Sequence, residues 1–385
     1  MKNILFVHQS AEMYGSDKTL LYLVSELKTN GYFPIVVLPS TGPLYDELQA
    51  AQIQIIIAPV IKMSRKMFAI GNLISLPFQV IKSLSILKKE LGKTKIDLVH
   101  SNTLAVLTGA FFARMYGIKH LWHVHEIITN PKIISNLYPR IVYWLSDTVV
   151  FNSSASKDFM VHKFPKIDKK STVILNGFDR KTALNSDEEI AFFRKNTLKS
   201  DPDDLIIALI GRINRWKGHH LLVDAFCDIN KKHPKTKLVF VGSAPPNQEN
   251  FSDSLTQKIN ELHLEDKVVI LPFQNNIWQV WDSIDIAVVP STEPEPFGLV
   301  AIEAMLASKP VVGSSHGGLL EIIEHDQTGL FFENNSKQQL AEAICLIIEN
   351  TEKRINLGKN GKTRAEKYFS LKTYLDNFQK TYQQL

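Results

Sequence analysis

Glu295 and Glu303 stand eight residues apart in the run Pro290-Ser-Thr-Glu-Pro-Glu-Pro-Phe-Gly-Leu-Val-Ala-Ile-Glu303-Ala-Met. The apolar run Ile284 to Val289 before it reads as a buried strand. Pro294 and Pro296 bar a helix until the chain has turned, Gly298 lets the backbone bend close to a ligand, and from Leu299 the pattern is helical. A strand, a tight turn and a helix N-terminus make an anion site, because the first N–H groups of a helix have no partner. Acids are poor phosphate ligands, so Glu295 on the turn and Glu303 on the helix are assigned to sugar or ribose hydroxyls, which donate to carboxylates. The element reads as a holder for a phosphate with a sugar on each side, that is, a nucleotide-sugar. Two solvated acids after a Pro-rich turn are the bland alternative.

A second group of polar residues supplies the opposite charge. Leu205 to Ile210 is a continuous apolar run suited to a parallel strand buried on both faces. Gly211-Arg212-Ile-Asn-Arg215-Trp-Lys217-Gly218 follows it, then a helix over His219 to Lys232. Arg212 can fork two phosphate oxygens and Lys217 adds a point charge; Arg215 is a weaker candidate. A third group lies at the end of the strand Leu121-Trp-His123-Val-His125-Glu126. Ligands of open α/β sheets lie beyond the carboxyl ends of strands, and by alternation His123 and His125 share one face. Near the start, the strand Ile4 to Val7 leads into a loop and then a helix from Lys18, with Tyr14-Gly15-Ser16 at its mouth. This is not Gly-x-Gly-x-x-Gly, so the dinucleotide fingerprint is missing, and Ser16 or Asp17 also suits a helix cap.

Taken together, Glu-Pro-Phe-Gly-Leu-x-x-x-Glu-Ala-Met with its Glu-x7-Glu spacing resembles the donor-site motif of the retaining family 4 glycosyltransferases, the group 1 glycosyltransferases. The Arg212 and Lys217 loop, Val173-Ile-Leu-Asn176-Gly177-Phe-Asp179 and Gly317-Gly318-Leu-Leu-Glu321 are similar to further segments of that family. The resemblance implies the GT-B fold: an α/β protein of two Rossmann-like domains with parallel sheets facing a central cleft. It implies an N-terminal acceptor-side domain over 1–180, a nucleotide-sugar-binding domain over 181–368, and a last helix over 369–385 that crosses back to the first. Arg212 and Lys217 are then expected on the donor diphosphate, Glu295 on the donor sugar, Glu303 on the ribose and His125 at the reacting sugar. Gly15, Ser16, Phe297, Gly298, Leu299 and Val300 complete the expected donor site. The family has Gly-Gly where this chain has Gly15-Ser16. Retention of anomeric configuration is implied by the resemblance alone.

The elements that must position these residues fit an ordinary chain of 385 residues, 44% hydrophobic and 22% charged, which is enough for two domains. Residues 180 to 203 read as a charged linker with one helix, Asp187 to Lys195, and Leu104 to Tyr116 as a helix after Ser101-Asn102. Cys227 and Cys345 build neither a disulfide framework nor a metal site. The N-terminus reads as a strand rather than a signal peptide, and no run reaches a membrane span, so a cytoplasmic enzyme is expected, peripheral on the inner face of the membrane. No Asp-x-Asp follows a strand, so neither a metal nor another cofactor is expected. The formal charge of +5 is too mild to indicate nucleic acid. Residues 62–95 are basic and apolar, with eight Lys or Arg against Glu90 alone. They form a candidate membrane-surface patch; relatives in the resembled family that act on lipid-linked acceptors carry such a patch, so the resemblance implies a lipid-linked glycan acceptor as in bacterial surface polysaccharide assembly. Two other classes compete with the transferase. A nucleotide-sugar 2-epimerase of the same fold would need no acceptor, and a non-catalytic sugar-binding protein would not need Arg212 and Lys217.

Overall fold

The computed structural model describes residues 2–62, 70–245 and 247–385, with the backbone alone at 70–74. The chain divides into two compact units, Met1–Gly177 with Leu371–Leu385, and Phe178–Ser370. The division at Gly177 lies three residues before the expected one.

The first unit alternates strand and helix: β1 (Asn3–His8), α1 (Gly15–Thr29), β2 (Phe33–Leu38), α2 (Pro43–Ala50), β3 (Gln54–Ile57), α3 (Ile70–Leu91), β4 (Leu98–Asn102), α4 (Thr108–Tyr116), β5 (Lys119–Val124), α5 (Lys132–Leu145), β6 (Thr148–Phe151), α6 (Ser154–Lys163) and β7 (Ser171–Val173). All pairings are parallel, in the order β3-β2-β1-β4-β5-β6-β7. Strands buried on both faces explain the continuous apolar runs. In β1, Ile4 and Phe6 point into the cluster under α1 and α2, while Leu5 and Val7 point into the cluster under α3 and α4. Two helices begin elsewhere than the apolar pattern suggests. α1 starts at Gly15, because the Asp17 carboxylate accepts the Tyr14 N–H at 2.9 Å and caps the first turn. α4 starts at Thr108, because the Leu104 N–H is taken by Glu126 at 2.8 Å and Thr103 has φ +96°.

The second unit contains α7 (Asp187–Asn196), β8 (Leu205–Ile210), α8 (His219–Lys232), β9 (Thr236–Val241), α9 (Asn250–Glu261), β10 (Val268–Leu271), α10 (Ile277–Ser283), β11 (Ile286–Val289), α11 (Leu299–Leu306), β12 (Val311–Ser314), α12 (Leu319–Ile322), β13 (Gly329–Phe332), α13 (Lys337–Glu349) and α14 (Thr351–Tyr368). Its sheet is also parallel, in the order β10-β9-β8-β11-β12-β13. Ile207, Leu209, Phe240 and Val288 on one face bury against Leu222, Phe226 and Ile229 of α8, each contributing about 1.5–3 kcal/mol. The segment after Gly177 is exposed over 181–184, as a linker, but it is anchored at both sides of that stretch. Arg180 holds both oxygens of Asp282, at 2.5 and 2.8 Å, and lies 4.7 Å over the Trp278 ring. Asn185 adds two hydrogen bonds to the same carboxylate.

The last helix, α15 (Leu371–Gln383), belongs to the first unit. Leu371, Tyr374, Leu375, Phe378 and Tyr382 join the cluster under α1, and the Tyr382 hydroxyl meets Nδ1 of buried His100 at 2.7 Å.

Candidate active site

In each sheet the strand order reverses at one place, between β1 and β4 and between β8 and β11. Loops at the carboxyl ends of such a strand pair diverge and leave a crevice, where ligands of doubly wound sheets bind. In the second unit these loops carry Arg212 and Lys217 after β8, and Glu295 and Gly298 after β11.

The two loops are fastened together. The Thr292 N–H donates to the Trp216 carbonyl at 2.7 Å, and Arg215 pairs with Glu293. Gly218 takes φ +80°, and a Cβ there would lie 1.9 Å from the Pro290 carbonyl oxygen, so only glycine permits the close approach. With the loops so held, Lys217 Nζ donates to both oxygens of Glu295, at 2.8 and 3.0 Å. Both side chains are largely buried, 17% and 8% exposed. The Ser291 hydroxyl donates to Glu295 Oε2 at 2.7 Å, and Lys217 Nζ sits 4.4 Å over the Trp216 ring. The cation expected on the diphosphate and the acid expected on the sugar are thus paired with each other.

A third loop backs the second. The Gly318 N–H donates to the Glu295 carbonyl at 2.7 Å, and a Cβ at Gly317 would lie 2.4 Å from that oxygen. His316 Nε2 meets the Ser291 carbonyl at 2.8 Å, a loop contact. Gly298 has φ +110° and forms the N-cap of α11, so the N–H groups of Leu299 and Val300 open the helix, while Phe297 is buried. Glu303, one turn on, is buried and accepts the Trp281 indole N–H at 3.2 Å. Arg212 is partly buried in the same loop as Lys217.

The first unit has its own polar cluster at the switch point between β1 and β4. His8, at the end of β1, meets Asp17 Oδ1 through Nε2 at 2.7 Å. Asn102, at the end of β4, donates from Nδ2 to His8 Nδ1 at 3.0 Å and receives His125 Nε2 on Oδ1 at 3.0 Å. His125 and His123 do share a face, with ring centroids 3.9 Å apart. Burial pushes the His125 ring down to about 3, and the charge of His8 adds to that; His123 is held well below its usual value by burial. His125 therefore stays neutral at ordinary pH, with Nε2–H directed at Asn102. Burial raises the Glu126 carboxyl above its usual range, although it accepts the Leu104 and His125 N–H groups. Gly15 and Ser16 stand at the first turn of α1, and a Cβ at Gly15 would meet nothing within 4 Å. The residues missed by inspection of the chain are His8, Asn102, Ser291 and Trp281, while Asp17, read as a cap, also meets His8; His8 and Asn102 share with His125 the signal of a polar residue closing an apolar strand.

Among the described residues, no group of three His, Cys, Asp or Glu is placed to hold a metal ion.

Family models match both units: Glycosyltransferase Family 4 over residues 14–182 and Glycosyl transferases group 1 over residues 191–364. A Methanocaldococcus jannaschii protein named as an uncharacterized glycosyltransferase is 32% identical, over 72% of this chain and 73% of its own. The Campylobacter jejuni N-acetylgalactosamine-N,N'-diacetylbacillosaminyl-diphospho-undecaprenol 4-alpha-N-acetylgalactosaminyltransferase is 27% identical, over 69% of this chain and 71% of its own. The crystal structure of Anabaena HepE in complex with UDP and glucose superposes with a TM-score of 0.86 at 27% identity, covering all of both chains. With two doubly wound parallel sheets of the GT-B fold, matched family models on each and named transferases among its relatives, the chain belongs to the group 1, family 4 glycosyltransferases.

Proposed function

We propose that this glycosyltransferase moves a sugar, with retention at the anomeric carbon, from a nucleoside diphosphate sugar to a hydroxyl of a lipid-linked glycan in bacterial surface polysaccharide synthesis. The observation that carries the donor class is the Lys217–Glu295 pair, held where the β8 and β11 loops meet, beside the N-terminus of α11. A diphosphate leaving group departs with negative charge, and stabilising that charge is the main task of the site. Arg212, Lys217 and the first N–H groups of α11 are assigned to it, without a metal ion. On donor binding, Lys217 turns part of its hydrogen bonding from Glu295 to phosphate. That leaves Glu295 acceptor capacity for the donor sugar hydroxyls, while Glu303, held by Trp281, accepts from the ribose. His125, as a neutral ring, contacts the reacting sugar.

Support for the donor comes from the HepE complex, which contains UDP and glucose. Support for the acceptor comes from the Campylobacter relative, whose name specifies a diphospho-undecaprenol acceptor. The basic and apolar patch at 62–95 suits a peripheral position on the membrane. Residues 63–69 of that patch lie outside the described residues; within α3, Phe78 and Ile81 are exposed. No described helix is long and apolar enough to cross a membrane.

Transfer is tested with labelled nucleoside diphosphate sugars and a membrane-extracted lipid-linked glycan pool, in EDTA, with the product anomer read by NMR. The proposal expects EDTA-resistant labelling of the lipid fraction with the donor's anomeric configuration. Inverted product would remove retention, and interconversion of the nucleotide-sugar without any acceptor would replace transfer by epimerisation.

A further inference from the structure

Helix α5 is apolar on two sides, and only one of them is covered. Ile134, Tyr138 and Val142 pack into the core with Trp122 and Phe151. On the opposite side Ile133, Leu137 and Trp144 are 79%, 42% and 73% exposed. At about 100° per residue these three fall within roughly 40° of one another around the helix, with Arg140 on the same stripe. Scattered exposed apolar residues need no explanation, but a stripe with a tryptophan along one helix does.

The charge around the stripe is mostly of one sign: on two elements packed against α5, residues 154–163 and 165–170, Lys157, Lys163, Lys166, Lys169 and Lys170 outnumber Asp158 and Asp168. From Ile127 to Ser146 the sequence contains no acidic residue. Lys132 and Arg140 lie on the helix, and Lys163 reaches across from α6 to donate to Asn136 Oδ1 at 3.0 Å. Arg140 donates to the Asn136 carbonyl at 2.6 Å and covers the Phe164 ring. An apolar stripe with an indole, bordered by cations on long stems, suits the boundary between lipid headgroups and acyl chains. A protein partner would be met as readily by mixed charge; the excess of cations favours a surface of uniform negative charge.

We infer that the exposed face of α5, with Ile133, Leu137 and Trp144 entering the interface and Lys132, Arg140 and Lys163 on headgroups, docks the first unit on an anionic lipid bilayer. This surface is separate from residues 62–95. Its purpose, reaching a lipid-linked acceptor, rests on the reading above, but its existence does not.

The test is co-sedimentation of the full chain with phosphatidylglycerol–phosphatidylcholine vesicles and with phosphatidylcholine vesicles. The wild type is expected to bind the anionic vesicles, and I133S/L137S/W144S to bind at least about tenfold more weakly. Phe78→Ser with Ile81→Ser tests the α3 patch separately and is expected to leave most of the binding in place. A second measurement does not depend on the triple variant folding. Trp122, Trp278 and Trp281 are buried and Trp216 is half-buried against Lys217 in the second unit, so a lipid-induced blue shift of tryptophan emission is expected to disappear in Trp144→Phe. No binding by the wild type, equal binding by the triple variant, or an undiminished shift in Trp144→Phe would overturn the inference. So would a wild-type dimer that the triple variant converts to monomer, because the face would then join two copies. Vesicle binding that persists when no transfer is detected still supports the surface.

Discussion

Lys217 donates to both carboxylate oxygens of Glu295 across two loops that are 78 residues apart in sequence. The pair is held at the switch point of the second sheet and is largely buried. In the proposed function this internal salt bridge stores the cation and the acid that meet the donor, and donor binding exchanges their partners.

Removing Lys217 leaves the Glu295 carboxylate largely buried, with the Ser291 hydroxyl still donating to it. Breaking such a pair costs about 3 kcal/mol, while removing both partners costs much less than the sum. Lys217→Ala is expected to lower Tm and reduce kcat about 10²-fold or more. Lys217→Ala with Glu295→Ala is expected to recover much of the Tm and none of the rate. Differential scanning calorimetry and steady-state transfer rates on the three variants check this.

Gly15→Ala isolates a ligand effect from a folding effect. A Cβ at Gly15 meets nothing within 4 Å, and alanine favours the first turn of a helix by up to about 1 kcal/mol. Tm is expected to hold or rise. If donor phosphate or acceptor approaches that backbone, the KM of one substrate rises severalfold. Unchanged kinetics would take Gly15 and Ser16 out of the site. Gly218→Ala is the contrasting case: its Cβ would overlap the Pro290 carbonyl, so loss of stability and of donor binding is expected together.

His8 and Asp17 are expected to act through Asn102 on His125. Asp17→Asn removes the charge and turns into a donor one of the two oxygens that hold His8 Nε2–H and the Tyr14 N–H, so the His8 ring and the Asn102 amide beside it lose their defined orientation. The expected result is a fall in kcat of about tenfold or more with little change in KM for the donor, accompanied by a changed pH profile. A loss confined to Tm, with kcat unaltered, would make the cluster structural.

The buried imidazoles set a pH dependence of stability. Burial holds His125 and His219 near 3 and His120 near 4, against about 6.5 when unfolded. Between those values the unfolded chain binds more protons than the folded one, so stability falls as the pH drops from about 6.5 toward 4. Each ring contributes on the order of 1.4 kcal/mol per pH unit within its window. Asp17 and Asp282 add a later loss. Burial raises each carboxyl, but hydrogen bonds and charge from His8 and Arg180 outweigh it, so their contribution disappears as pH falls below the usual carboxylate range. Urea unfolding at pH 7 and pH 5 is expected to show a smaller free energy at pH 5. Equal values would contradict neutral burial of these rings.

The strands were legible because both sheets are covered on two faces, so apolar runs such as Leu205 to Ile210 and Ile284 to Val289 mark them directly. Glu295, Glu303, Arg212 and Lys217 were legible because they close or follow those runs. What the chain order hid was which loops meet. Nothing local says that β8 lies beside β11, and therefore that Lys217 faces Glu295. For the same reason His8 and Asn102, 94 residues apart, were not read as partners. Helix starts were displaced by side chains that act as caps, Asp17 for α1 and Glu126 before α4. The 180–203 segment reads as a linker with one helix by its charge, and residues 181–184 are exposed; what the charge did not show is that Arg180 anchors it to Asp282.

The central claim is a nucleoside diphosphate sugar donor held between the β8 and β11 loops. It is tested most directly by the shift in Tm that a panel of UDP-, GDP-, ADP-, dTDP- and CMP-linked sugars produces in the wild type and in Arg212→Ala. Ligand bound only by the folded state raises Tm, by about 2.7 kcal/mol of stabilisation at a hundredfold excess over Kd. The account predicts a shift for one diphosphate class that Arg212→Ala loses. A wild type that no member of the panel shifts, or a shift left whole in Arg212→Ala, would contradict it.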